Sequence, residues 1–357
     1  MAGLRQLGAL RGGTVACVSL VLTYWTLSAI AAVAGSSPDR PPAAAPVTTD
    51  PARAERSRAP GPSRAQQRAR AAARLAGRVV VVTLRSPAPP GALLRAVKHG
   101  AVAGVLLDGA SIETRAQVHE TTAALQRAAQ AGGRPPLLVL AEQEGGARRA
   151  FGSIGPRRAP AAIADDDDAF ATAREEGADA GSQLRELGVN VDLAPSLDLP
   201  GMPGAGPASA SWGRTSEDVA DLACEFANGL RAGGVVPALK HLPASGTATE
   251  DALEPYRRCL ASGAALVVLA PGPAAVEREV RERVGFDGVV LDLSPARAGD
   301  APSRLRRGVD LVVVESDAGE AGRARRAIAA AVGAGRVRIG ALRRAGERVG
   351  RLREGVS

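Results

Sequence analysis

The sequence predicts an α/β fold: a single (β/α)8 TIM-like barrel over residues 78–357, preceded by an apolar segment at 1–35 and a spacer at 36–77. Two observations predict the barrel. Eight short apolar runs, at 79–84, 102–107, 137–141, 189–193, 235–239, 265–269, 288–291 and 309–314, are continuous rather than alternating. That is the pattern of strands buried on both faces of a parallel sheet. Between them lie stretches of helical period: Phe170, Ala173, Gly177, Ala180, Leu184 and Leu187 step by three and four, as do Val219, Leu222, Phe226 and Leu230. Eight strand–helix units favour closure into a barrel. A doubly wound open sheet is the alternative, but no Gly-x-Gly-x-x-Gly follows the first strand, which weakens a dinucleotide-binding version of it.

The chain begins with Arg5 and Arg11 and then an uncharged stretch whose core, residues 14–34, is almost wholly apolar. At 1.5 Å per residue, roughly 20 residues cross a bilayer. The segment reads as an uncleaved signal anchor or as a secretory signal cleaved near Ala32-Val33-Ala34; either reading makes the remainder extracytoplasmic, membrane-anchored or secreted. Residues 36–76 are rich in Pro, Ala and Arg with almost no large apolar side chains, so they read as a flexible spacer. Its arginines are solvated or lie against anionic lipid headgroups or wall polymers.

The net charge of +8 suggests a basic surface until it is divided along the chain. Residues 1–78 hold eleven arginines against Asp39, Asp50 and Glu55, which accounts for the whole excess. The barrel is therefore close to neutral, and nucleic acid is excluded as a partner on charge grounds. Cys17 lies in the apolar segment; Cys224 and Cys259 fall on predicted helices, where two separate buried thiols are the ordinary expectation and pairing the alternative in an exported chain. No cysteine or histidine spacing resembles a zinc site, and the run Asp165-Asp166-Asp167-Asp168 reads as a helix N-cap rather than a metal site. No metal or cofactor is implied.

In a barrel the loops that follow the strands carry the chemistry. The third run leads into Ala141-Glu142-Gln143-Glu144-Gly145-Gly146 and the fourth into Asp192-Leu193-Ala194-Pro195-Ser196-Leu197-Asp198, with Ala208-Ser209-Ala210-Ser211-Trp212-Gly213 beyond it. The fifth leads into Lys240-His241-Leu242-Pro243-Ala244-Ser245-Gly246-Thr247-Ala248-Thr249-Glu250-Asp251-Ala252-Leu253, read as one loop. Gly285-Phe286-Asp287-Gly288-Val289-Val290-Leu291-Asp292-Leu293-Ser294 surrounds the seventh.

These stretches resemble the family 3 glycoside hydrolases, in their β-N-acetylglucosaminidase branch. The central loop is similar to K-H-F-P-G-H-G, four residues, D-S-H, with Lys240, His241, Pro243, Gly246 and Asp251 in register. The third-strand loop resembles D-Q-E-G-G with Glu142 at the Asp position, the fourth resembles D-F-A-P-V-L-D, and the seventh resembles G-F-D-G-V-V-[IV]-S-D-D-L-S with one or two residues missing. The resemblance implies that Glu142, Lys240 and His241 bind sugar hydroxyls, that Trp212 retains an aromatic near the substrate, and that Asp292 is the candidate nucleophile. Asp251 is then the remnant of an acid/base dyad whose histidine is replaced by Leu253, a side chain that cannot carry a proton. Ala210 stands where the family has a substrate-binding arginine, and Ser245 where it has a histidine. Glu250 and Asp251 are the acids nearest the vacant role. Only Ala270-Pro271-Gly272-Pro273 stands where the family has a longer loop, which implies a more open mouth.

The residue-level alternatives stay open here: acidic helix caps for Glu142, a core histidine for His241, and a strand-end hydrogen bond for Asp292. The implied ligand is a glycan containing N-acetylhexosamine, of the kind found in peptidoglycan, with residues 14–34 meeting the membrane. The expected function is an exported β-N-acetylhexosaminidase-type domain, related to cell-wall glycan hydrolysis and catalytically impaired. A non-catalytic barrel that binds wall glycan or a protein partner is the alternative.

Overall fold

A computed structural model of the chain describes residues 62–202, 205–242, 248–270, 277–294, 297–315 and 318–356. The expected membrane segment with Cys17, the spacer up to residue 61, residues 243–247 of the central loop and the shortened loop at 271–273 lie outside them. No helix among the described residues is long and apolar enough to cross a membrane.

The eight apolar runs all become strands of one closed parallel barrel. In chain order these are β1 (Val80–Leu84), β2 (Gly104–Leu107), β3 (Leu138–Ala141), β6 (Val191–Asp192), β7 (Val236–Leu242), β8 (Leu266–Leu269), β9 (Val289–Asp292) and β10 (Leu311–Val314), with a small hairpin, β4 (Gln143–Gly145) and β5 (Arg148–Arg149), inserted after β3. Around the barrel the order is β1-β10-β9-β8-β7-β6-β3-β2, so each barrel strand pairs with its sequential neighbours and β10 closes onto β1 through Val80 and Val312. Alternate residues serve two cores, because side chains on a strand point to opposite faces. On β9 and β10, Val289, Leu291, Leu311 and Val313 fill the barrel interior, while Val290, Val312 and Val314 pack outward against the helices. Each such side chain contributes about 1.5–3 kcal/mol when fully buried.

The helices are α2 (Gly91–Lys98), α3 (Arg115–Ala131), α4 (Pro160–Ala164), α5 (Ala169–Glu186), α6 (Ser216–Ala232), α7 (Glu250–Ala261), α8 (Ala301–Arg306), α9 (Ala318–Gly333) and α10 (Ile339–Glu354), preceded by α1 (Arg64–Leu75). Asp168 caps α5, accepting from the Ala171 N–H at 3.2 Å, as the acidic run predicts. On α5 the predicted face is buried from Ala173 to Leu187, but Phe170 is half exposed in its first turn. Gly177 lets α5 and α6 approach closely: a Cβ there would lie 2.3 Å from the Phe226 carbonyl oxygen.

Two features differ from the sequence expectation. Cys224 on α6 and Cys259 on α7 form a disulfide rather than two separate thiols; both helices pack side by side against the barrel, which brings residues 35 apart in sequence together. Such a link contributes about 2–4 kcal/mol. The spacer ends earlier than expected, since Arg64–Leu75 is helical. Ser63 and Gln66 form a capping box, and the small residues Ala65 and Ala69 let α1 lie against Gly333 of α9. α10 crosses the N-terminal end of the barrel, where Val349 and Leu352 close the interior core.

Candidate active site

β7 runs further than expected, through Leu242, so Lys240 and His241 are strand residues rather than the start of a loop. Lys240 has the inward parity of Ala238, two residues before it, which lies in the interior core. Its ammonium group therefore ends at the C-terminal mouth, although the side chain is only 1% exposed. There Nζ lies 2.6 Å from Glu142 Oε1 and 3.2 Å from Glu144 Oε2. The same two carboxylates are bridged from the β4–β5 hairpin by Arg148, at 2.9 Å from Glu142 Oε1 and 3.1 Å from Glu144 Oε2. Glu144 also accepts the Ser196 N–H through its other oxygen. Two cations thus hold two carboxylates across the ends of β3 and β7, while the Glu142 side chain stays 42% exposed.

The electrostatics follow from this arrangement. Burial acts to raise the Glu142 pKa, but the charges and hydrogen bonds of Lys240 and Arg148 outweigh it and hold the carboxyl at about 2. Asp192, at the end of β6, is wholly buried; one oxygen accepts the Gln143 N–H at 2.8 Å and the other has no hydrogen-bond partner. Burial pushes this carboxyl up to about 7.

His241 follows Lys240 through a cis peptide bond and meets Asp198 twice. Its backbone N–H donates to Asp198 Oδ1 at 3.0 Å and its ring Nδ1 lies 2.9 Å from Oδ2. Burial raises the Asp198 pKa, yet the hydrogen bonds and charge of His241 prevail and lower it. An ionised Asp198 accepts from the Nδ1–H and so orients the ring.

The structure does not bring the other expected residues to this cluster. Asp292 ends β9 with the outward parity of Val290, and its carboxylate is paired with Arg304 of α8 at 2.9 Å, with Arg307 at 3.6 Å, and with the Ser294 N–H at 2.9 Å. The inward position beyond Leu291 belongs to Leu293, which packs against the interior core. Leu253 is not in a loop: α7 begins at Glu250, and Leu253 is completely buried on its inner face. Asp251 is exposed in the first turn of the same helix, and Glu250 is tied to Arg257 at 2.7 Å and to Arg283.

Trp212, expected near the substrate, is instead a core residue with no exposed surface, its ring 4.9 Å from that of Phe226. An apolar ring two residues beyond Ala210 gains more from packing on α6 than from remaining in water.

Sequence reading missed Glu144, Arg148, Asp192 and Asp198 as members of the cluster. Arg148 is the informative case. A Cβ built on Gly206 would lie 2.7 Å from Arg148 Nη1 and 3.5 Å from the Ala210 Cβ, so this guanidinium reaches the neighbourhood of Ala210 from a different element. No sequence spacing announces that approach; only the charge alternation of Glu142, Glu144 and Arg148 hints at it.

Comparison with known proteins assigns the architecture to a family. The sequence model of the glycosyl hydrolase family 3 N-terminal domain matches residues 79–258. The chain belongs to glycosyl hydrolase family 3. It is 30% identical over 267 residues to a β-hexosaminidase of Xanthomonas euvesicatoria pv. vesicatoria strain 85-10, a match spanning 61% of this chain and 78% of that protein. Among solved structures it resembles a family 3 β-N-acetylglucosaminidase from Paenibacillus sp. str. FPU-7, with TM-score 0.70 and 26% identity, covering 79% of this chain and 62% of that one. The β-N-acetylhexosaminidase of Beutenbergia cavernae DSM 12333 shares the fold, with TM-score 0.68 and 24% identity over 79% of this chain and 98% of its own. The barrel places the Glu142–Lys240 cluster at the C-terminal ends of the strands, the face on which such barrels carry their chemistry.

Proposed function

We propose that this chain is an exported family 3 domain that binds a cell-wall glycan containing N-acetylhexosamine at the C-terminal mouth of its barrel, with hydrolysis severely impaired. The names of its relatives, β-hexosaminidase and β-N-acetylglucosaminidase, support the sugar class. Export is supported by the apolar stretch at 14–34 and by the Cys224–Cys259 disulfide, since such bonds persist in oxidising compartments.

One contrast carries the reading. Glu142, with Lys240 and Arg148 behind it, and His241, held by Asp198, offer charged and polar groups suited to sugar hydroxyls. A retaining glycosidase needs in addition two carboxyl groups about 5 Å apart across the scissile bond, one as nucleophile and one as acid/base. Asp292 is engaged with arginines on the helix side, and residue 253 is a buried leucine. Loss of acid/base assistance alone costs about 10²–10⁴-fold in rate.

The test uses the full chain, with an N-acetylglucosamine oligosaccharide as ligand and an activated aryl β-N-acetylglucosaminide as substrate. Saturable binding that Glu142→Ala weakens about tenfold or more, with no turnover in the wild type or in Leu253→His, is the expected result. Turnover that disappears in Asp292→Ala would establish a working nucleophile and replace this reading with that of an active enzyme. Absence of both binding and turnover would reject a glycan role altogether.

A further inference from the structure

The near-neutral charge of the barrel conceals a strong segregation. At the N-terminal end of the strands, opposite the mouth, α1, α10 and the loops before β1, β2 and β3 enclose a cavity of about 640 Å³. Arg74, Arg78, Arg134, Arg325, Arg353 and His99 line it, against one carboxylate among the described lining residues, Glu354. Elsewhere in the molecule several partly buried arginines meet acids, as Arg148 meets Glu142 and Arg304 meets Asp292. Here Arg353, Arg134 and Arg325 meet neutral backbone. Arg353, only 8% exposed, donates from Nε and Nη2 to the carbonyls of Pro136 and Pro135 at 2.7 and 2.6 Å. Arg134 points to the Lys98 and His99 carbonyls at 3.4 and 3.3 Å, and Arg325 to that of Ala73 at 3.1 Å. The hydrogen bonds of Arg353, Arg134 and Arg325 to described residues all end on backbone carbonyls.

Carbonyls orient a guanidinium but do not neutralise it. A buried cation without a counter-charge is costly, and like charges brought together add to that cost. Burial, then the neighbouring charges of Arg78 and Arg134, lower the Arg353 pKa to about 10. The planar fork of arginine matches oxyanions bidentately. A single carboxylate would leave most of this charge unanswered, whereas a phosphate group carries about −1.5 to −2 near neutral pH and presents three acceptor oxygens. The volume exceeds that of one such group, leaving room for the body that bears it.

We propose that this cavity is a binding site for a phosphate-bearing ligand, distinct from the glycan site at the other end of the barrel. The phosphate comes from a soluble ester or from a lipid headgroup, and Arg74 and Arg78, on the segment that joins the N-terminal part of the chain to the barrel, are placed to meet either.

The test titrates the full chain with inorganic pyrophosphate at constant ionic strength, and measures its sedimentation with phosphatidylglycerol vesicles against phosphatidylcholine vesicles. Two double variants accompany it. Arg78→Ser/Arg134→Ser removes two exposed cavity arginines, and Arg336→Ser/Arg338→Ser removes the same charge from the neighbouring surface beside α10. Binding that the first pair weakens about tenfold or more and the second leaves nearly unchanged is expected. Response to pyrophosphate alone would assign a soluble phosphate, and to phosphatidylglycerol alone a headgroup. Equal loss in both double variants would mean a diffuse positive field rather than a site. That result, or no saturable pyrophosphate binding together with vesicle binding indifferent to Arg78→Ser/Arg134→Ser, would overturn the proposal.

Discussion

The C-terminal mouth of the barrel has two sides built by the same strand logic but with opposite results. On the side of β3 and β7, the inward positions at the strand ends carry charge: Glu142 and Lys240, with Glu144 and Arg148, share two cations among two carboxylates. On the side of β9 and α7, the inward positions carry Leu293 and Leu253, and the nearby acid, Asp292, is turned to the helix layer. Under the proposed function, the sugar-binding half of the site is kept and the catalytic half is not. A buried charge network is self-supporting, because removing one member leaves the others desolvated and unpaired. A lone catalytic carboxylate or histidine has no such structural protection.

That contrast can be broken or sharpened by substitution. Lys240→Met leaves Glu142 and Glu144 with Arg148 alone, and should cost about 3–5 kcal/mol in urea unfolding along with glycan binding. Asp192 tests the same side through pH. Its folded-state pKa is raised from 3.8 to about 7, so between those values the folded chain holds a proton that the unfolded chain has released. The contribution of this group to stability is full below the lower value, falls as pH rises, and levels off above the upper one. Relative to wild type, Asp192→Asn should therefore gain stability between about pH 4 and 7, by a few kcal/mol at most; equal slopes in the two proteins would refute the raised pKa.

On the other side the expected effects are smaller. Asp292→Asn leaves Arg304 without its 2.9 Å ion pair and should lower stability by about 1–3 kcal/mol while leaving glycan affinity unchanged. Loss of affinity in that variant would show that the two sides are coupled. Asp251→Asn, at an exposed first-turn position, should change stability by about 0.5 kcal/mol or less and leave binding as it is, read by the same two measurements.

Much of the fold was legible because continuous Val and Leu runs can be satisfied only between two covered faces. All eight runs became barrel strands, and Asp168 capped a helix as its position before Phe170 implied. The errors lie where local pattern and tertiary packing disagree. The end of the expected spacer is helical because a capping box and small residues let Arg64–Leu75 dock on α9. The central motif was read as one loop, yet β7 extends through Lys240 and His241, and α7 reclaims Asp251 and Leu253.

The barrel, its family and the positions of Glu142, Lys240 and His241 as polar residues near strand ends were therefore legible from sequence, because hydrophobic periodicity and motif register are local properties of the chain. Packing in three dimensions set the rest: Cys224 meets Cys259, Trp212 is core, Arg148 joins the two glutamates, and Asp292 faces Arg304 rather than the barrel mouth. Those outcomes depend on the parity of a strand end and on the approach of distant elements, where one residue of register turns a side chain to the opposite face.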